Sequence, residues 1–422
     1  MRHLTLLCAL LVATPALAAA PSAPQDGAVL ERVVLVARHG IRSPTKAPQT
    51  LQTQTGHVWA QWPVAPGELT DHGKQALAQM VGMVRQYYTQ AGLLPSAGCP
   101  QPGTVAIWAD AKDHRTRESG AIWANQLAPS CAVQAQSLAD GQEDPVFAGP
   151  STPLSQQNQA AITHEFDQRV STIPPGIRQS LNTLQAVLAP TACTTDKPHC
   201  LSANMAALAW KKGKPHLEGG LATGGTAAEN LLLEYAQGMP KQAEPFAPHD
   251  PAPLIAQVFP LHTEESWLIR RLPTLAARKG AVMAAIVQNT LFGKPDGTLP
   301  NVTEQTKLLV LSGHDTNLDV LATLYGLDWS FTDQPDPTAP DTTLAFELWR
   351  TASGPKVTVR LFHQGLEDLR TLAPPPLLRI CRLLPKALPS RRCAPPPRSK
   401  AGAHILWPGA FPTTRPRPIL IL

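Results

Sequence analysis

A histidine between two arginines closes an apolar run near the start of the chain, in the stretch Arg38-His39-Gly40-Ile41-Arg42-Ser43-Pro44-Thr45-Lys46. Two fixed guanidiniums can grip phosphate oxygens as a fork, and an imidazole between them can attack the phosphorus. A second polar group, His314-Asp315 in Ser312-Gly313-His314-Asp315-Thr316-Asn317-Leu318, follows another apolar run. Its imidazole adds a donor for an oxyanion, and its carboxyl can pass a proton to a leaving alkoxide. A third guanidinium comes from Arg115, in Asp110-Ala111-Lys112-Asp113-His114-Arg115-Thr116-Arg117. Taken locally, Asp315 reads as readily as a helix N-cap, and Arg115 and Arg117 as solvated residues of a helix start.

The elements that must position these residues can be read around them. Residues 33–37 have the length and β-branched composition of a strand buried on both faces. An open parallel sheet gathers its chemistry at the carboxyl ends of its strands, where Arg38, His39 and Arg42 fall. A loop over 47–66 holds Trp59 and Trp62. Thr70 then caps a helix through Leu77, Met80, Val81 and Val84 that ends near Gly92. Residues 104–109 form a second parallel strand, with a helix through Ile122, Trp123 and Leu127 behind it. Residues 307–311 give a third buried strand, followed by a helix over 318–325, and 343–349 with 357–362 read as a strand pair. Helices over 262–271 and 275–291 are expected to lie back against the sheet. Between 149 and 250 the strand signals fade, and helical patterns cover 156–170, 177–188 and 226–238. The fold class is therefore α/β: a mostly parallel central sheet with flanking helices plus a smaller all-helical insertion domain. The α/β part takes residues 21–148 and 251–370, and the insertion, 149–250, caps the crevice.

Composition narrows the function. Met1-Arg2-His3, an apolar run over 4–17 and small residues through Ala20 read as an export signal, cleaved after Ala18 or Ala20. That run is too short to span a membrane, and no later run reaches about 18 uncharged apolar residues. A soluble protein, periplasmic or secreted, is expected. The formal charge of +5 belongs to residues 371–422, which hold nine Lys or Arg and no acid; the rest carries 27 basic and 31 acidic residues. Basic residues in the body are scattered and not interleaved with aromatics, so neither a nucleic acid nor a membrane is an expected partner. Beyond Cys8 there are six cysteines and no C-x-x-C pair, which in an exported chain favours disulfides over zinc.

The pattern R-H-G-x-R-x-P at Arg38–Pro44, with G-H-D-T-N-L at Gly313–Leu318, resembles the histidine acid phosphatases. Thr45-Lys46 is similar to their bacterial periplasmic phytase branch; glucose-1-phosphatase relatives depart just after the Pro. The likeness runs over about residues 32–365. It implies that His39 is the nucleophile, that Asp315 is general acid and then base, and that Arg38, Arg42, Arg115 and His314 bind phosphate. Thr45, Lys46 and Glu229 fall at the pocket rim; Glu229 otherwise reads as a surface residue of an amphipathic helix. The family's nearby substrate-contacting Asp matches either Asp110 or Asp113. Disulfides Cys99–Cys131 and Cys193–Cys200 are implied, with Cys381–Cys393 an open third pair. No metal and no cofactor is expected, and the partner is a small phosphomonoester bound by a monomer. Phytate is the favoured substrate, with glucose 1-phosphate or broad specificity as alternatives and an exported phosphate-binding pseudo-enzyme as the non-enzymatic one. Residues 371–422, with twelve Pro and no clear period, depart from the family. They read as disordered, through a changed reading frame near 371 or a lineage-specific extension.

Overall fold

The computed structural model describes residues 27–195, 199–239, 251–375, 380–383 and 392–393. The first apolar run is strand β1, Val29–Arg38, whose last six residues are all buried. Side chains alternate across it, as strand geometry demands. Val34 and Val36 pack into a cluster with Met283, Val287 and Leu318, while Val33, Leu35 and Ala37 pack with Leu77, Met80 and Trp123. Helices therefore cover both faces.

After β1 come α1 (Pro48–Thr55), α2 (Asp71–Gln90), β2 (Val105–Ala109), α3 (His114–Leu127), β3 (Ala135–Gln136) and the single turn α4 (Pro145–Ala148). The insertion holds α5 (Gln156–Ser171), α6 (Pro175–Leu188), α7 (Ala192–Thr195), β4 (Ala207–Lys211), β5 (Lys214–Glu218) and α8 (Gly220–Ala236). Next are α9 (Ala252–Val258), α10 (Pro260–Ile269), α11 (Pro273–Leu291), β6 (Leu308–Gly313), α12 (Asp315–Leu324) and β7 (Ser330–Phe331). The described chain closes with β8 (Thr343–Thr351), β9 (Gly354–Phe362), α13 (Leu366–Thr371), β10 (Ile380–Leu383) and β11 (Arg392–Cys393).

The main sheet has the order β10-β9-β8-β1-β6-β2-β3. Strands β1, β6, β2 and β3 run parallel, and this part carries the site. On the other side of β1, strands β8, β9 and β10 pair antiparallel. Strand β6, distant in sequence, lies between β1 and β2 with Val34 opposite Leu309 and Ala106 opposite the same Leu309. The two chemical motifs, far apart in the chain, thereby end side by side.

Local signals hold at the ends of α2. The Thr70 hydroxyl accepts the Gly73 N–H at 2.9 Å, and Gly92 closes the helix with a positive φ of 76°. Four expectations change. The stretch 47–66 contains a helix, α1, started by Pro48 at its first turn. The insertion is not all-helical, because Lys212 and Gly213, both with positive φ, turn β4 back onto β5 as a two-residue hairpin. Helix α10 packs on α5, α6 and α8 instead of the sheet, since its apolar residues Leu261 and Leu268 join the insertion's core with Leu181 and Leu232. The tail, read as lacking strands, contributes β10 to the edge of the main sheet and β11 to β7. The export signal and the rest of the tail lie outside the described residues, and so do the side chains on which the Cys381–Cys393 pairing depends. Disulfides Cys99–Cys131 and Cys193–Cys200 are present. Among the described residues no helix is long and apolar enough to cross a membrane.

Candidate active site

His39 is the first residue past β1, and two backbone bonds fix its departure. Its N–H donates to the Gly313 carbonyl at the end of β6, and the Arg38 N–H donates to Thr342, each at 3.0 Å. The ring is 2 % exposed, with Nδ1 2.8 Å from the Gly40 carbonyl. A carbonyl only accepts, so Nδ1 carries the proton and Nε2 keeps its lone pair. Burial lowers the pKa of this imidazole well below its ordinary value, and the Arg115, Arg42 and Arg38 guanidiniums and His314 lower it further. The result is a neutral imidazole with a free Nε2 lone pair among guanidinium charges.

Each cation is held by an acid. Arg38 donates to Glu229 at 2.6 Å, to Asp336 at 2.9 Å and to the Thr338 carbonyl at 2.5 Å. Arg42 donates to both Glu229 oxygens, at 3.1 and 3.2 Å. Arg115 donates to Asp113 at 2.8 Å and to the Gly67 carbonyl at 3.4 Å. Burial and the neighbouring Arg42 charge pull the Arg115 pKa down, so an anion between them relieves both. The Nε of Arg38, Arg42 and Arg115 is buried without a hydrogen-bond partner among the described residues. His314 lies edge-on to His39, ring centroids 5.6 Å apart. Its Nε2 is 2.7 Å from Asp110 and 3.7 Å from Asp113. Of the two aspartates the sequence left open, Asp110 bonds His314 and Asp113 bonds Arg115.

Asp315 is the first residue of α12, not its cap. The His314 backbone N–H at that end donates to the Asn317 side chain at 2.9 Å. The Asp315 carboxylate accepts the Thr316 N–H at 2.8 Å and a bond from Arg270 at 2.7 Å, with Arg38 at 3.9 Å. Burial alone pushes its pKa up. Arg270, Arg38 and His262 outweigh that and hold it well below the usual carboxylate range.

The six core residues of the two motifs and α3 thus converge, but the rim changes. Glu229, placed there by the sequence, is 9 % exposed and lies between Arg38 and Arg42. Helix α8 is buried over most of its surface from Ala227 to Glu234, not amphipathic, and delivers Glu229 inward. Burial opposes its charge, yet Arg42 and Arg38 bring its pKa to about 2. Thr45 and Lys46 are exposed, with Lys46 bonded to Gln54 at 3.0 Å. Asp336 and Arg270 were missed. Asp336 stands among prolines, where an Asp reads as a turn residue, and Arg270 at a helix carboxyl end reads as a dipole partner. Two triplets, Asp110, Asp113 and His314 and then Glu229, His262 and Asp315, have ligand atoms within 4.8 Å of one another. Their carboxylates are already engaged by the arginines and His314.

A parallel sheet that ends in a guanidinium-ringed histidine beside a His-Asp pair defines a phosphoryl-transfer class. The sequence pattern of the histidine phosphatase superfamily (branch 2) matches residues 29–171, and the chain belongs to that family, the histidine acid phosphatases. It is similar to phytase AppA of Escherichia coli, 33 % identical over 386 residues that cover 87 % of this chain and 88 % of the relative. Glucose-1-phosphatase of Salmonella typhimurium is 22 % identical over 370 residues, 82 % and 83 % of the two chains. The solved phytase of Hafnia alvei superposes with a TM-score of 0.76 at 33 % identity, over 86 % of this chain and 92 % of that one.

Proposed function

We propose that the chain is an exported phytase, hydrolysing phosphomonoesters through a phosphohistidine on His39. The observation that carries this reading is the Nδ1 contact with the Gly40 carbonyl, which aims an unprotonated Nε2 into a ring of guanidiniums. A phosphomonoester dianion repels nucleophiles, so Arg38, Arg42, Arg115 and His314 neutralise its oxygens and stabilise the charge of the transition state. Nε2 bonds to phosphorus as the phosphorus–oxygen ester bond breaks, and the Asp315 proton goes to the leaving alkoxide. Water then attacks the phosphohistidine, the Asp315 carboxylate takes its proton, and inorganic phosphate leaves with the acid restored. The donor form of Asp315 is scarce at neutral pH because Arg270 and Arg38 hold the carboxyl ionised. Activity on alkyl phosphates therefore rises towards acid pH.

Phytate is favoured because the phytase relatives share a third of their residues with this chain over most of both lengths, more than the glucose-1-phosphatases do. The exposed ammonium of Lys46 also suits a substrate with several phosphates. Two disulfides fit an oxidising compartment, in keeping with the export signal read from residues 1–20. The test is phosphate release by the purified protein at about pH 4 to 5, with phytate and glucose 1-phosphate side by side. Faster release from phytate is expected. Preference for glucose 1-phosphate overturns the substrate, and no release from either overturns the enzyme.

A further inference from the structure

We propose that Arg270 is a positioning residue for the general acid, clamping the Asp315 carboxylate from the helical cap and setting the pH range in which that group carries its proton. This rests on the reading of Asp315 as acid. Arg270 directly follows α10, a helix of the cap, whereas Asp315 opens α12 at the end of the sheet. Its Nη1 donates 2.7 Å to the Asp315 Oδ2 and 3.5 Å to the Asp319 Oδ2 one turn further along. With the Thr316 N–H on Oδ1, both oxygens of the acid are committed and its direction is fixed. The adjacent Arg271 serves packing instead, donating to the Leu327 carbonyl and lying over the Trp267 ring.

The charged surroundings of Asp315 make Arg270 the strongest lever on it. Arg38 faces the carboxylate from β1 at 3.9 Å, His262 from α10, and Arg115 from α3. Glu229 on α8, Glu265 on α10 and Asp319 on α12 oppose them. Among the cations Arg270 exerts the largest pull towards ionisation. Removing its charge lets Asp315 hold a proton at higher pH, and removing Asp319 gives Arg270 wholly to Asp315, with the opposite effect.

The experiment compares R270Q, R270K and D319N with the wild type, following kcat/KM against pH. Glycerol 2-phosphate has a leaving group that needs the acid, and p-nitrophenyl phosphate one that hardly does. In R270Q the alkaline limb on glycerol 2-phosphate moves to higher pH, raising the ratio of rates at pH 7 and pH 5 roughly threefold or more. R270K restores the wild-type limb, D319N moves it to lower pH, and the p-nitrophenyl phosphate profiles shift little. An unmoved limb in folded R270Q overturns the proposal, as does a raised KM with an unchanged limb, which makes Arg270 a phosphate ligand. Should R270Q not fold, an unmoved limb in D319N overturns it equally. Wild-type failure on both substrates overturns the phosphatase reading and this one together, an outcome distinct from a fixed limb.

Discussion

Glu229 lies between Arg38 and Arg42 and holds both guanidiniums in place by its charge. Its folded pKa of about 2 is below the ordinary value of 4.5, so its stabilisation is fully present above the unfolded value. That contribution is lost as pH falls from about 4.5 through 2, on the order of 3 kcal/mol for such a shift. E229Q should melt lower than wild type at pH 6, with the gap closing towards pH 2; a gap that persists at pH 2 contradicts the charge pairing. At Asp315 the chemistry is the readout. D315N should lose about 10²- to 10⁴-fold in kcat on alkyl phosphates and much less on p-nitrophenyl phosphate. Equal losses on both would mean that Asp315 does not protonate the leaving group. His39, Arg38, Arg42 and the His314-Asp315 pair were legible because one short spacing fixes each group. Asp336 and Arg270 were not, since they serve the site only through contacts formed across the fold, and neither has a local signature beyond a turn or a helix end.

Two elements meet backbone to backbone where the loop after β1 touches the start of α2. A Cβ on Gly73 would stand 2.2 Å from the Ile41 carbonyl, and one on Gly40 would stand 2.9 Å from the Gly73 carbonyl. Bare backbone on both sides lets α2 press the loop that carries Arg42 into place. G73A should cost about 1 to 3 kcal/mol by overpacking and lower kcat/KM as Arg42 moves; thermal unfolding and phosphatase assays of the purified variant measure both. Wild-type stability and activity would mean that the loop can give way. Strand β1, helix α2 and strand β6 were readable from β-branched runs and a capping Thr. The hairpin β4–β5 was not, because Ala207-Leu208-Ala209-Trp210 lacks a clean alternation and only Lys212-Gly213 marks the turn.

For the whole molecule, the site lies where the sheet's parallel half faces the cap. Sheet ends supply His39, His314 and Asp315, and the cap supplies Glu229 and Arg270. An insertion capping the crevice was expected, whereas the joining of α10 and Arg270 to it was the least legible feature, because sequence periodicity ranks each element's buried side but does not say which two buried sides meet. The disulfides brace the two parts unequally. Cys99–Cys131 spans 32 positions containing β2 and Arg115, whereas Cys193–Cys200 spans 7 within the cap. On loop length alone, removing the first should cost about 3 to 4 kcal/mol and the second about 2 to 3 kcal/mol; denaturant unfolding of the paired serine variants would show the reverse order if local strain dominated. Above all of this stands the covalent intermediate. The most direct measurement is to mix the enzyme with labelled phosphomonoester, quench in alkali, where phosphohistidine survives, and map the labelled peptide. Label on the peptide holding His39, absent in H39A, is the expected result. Turnover without a labelled histidine, or label at another residue that persists in H39A, would contradict it.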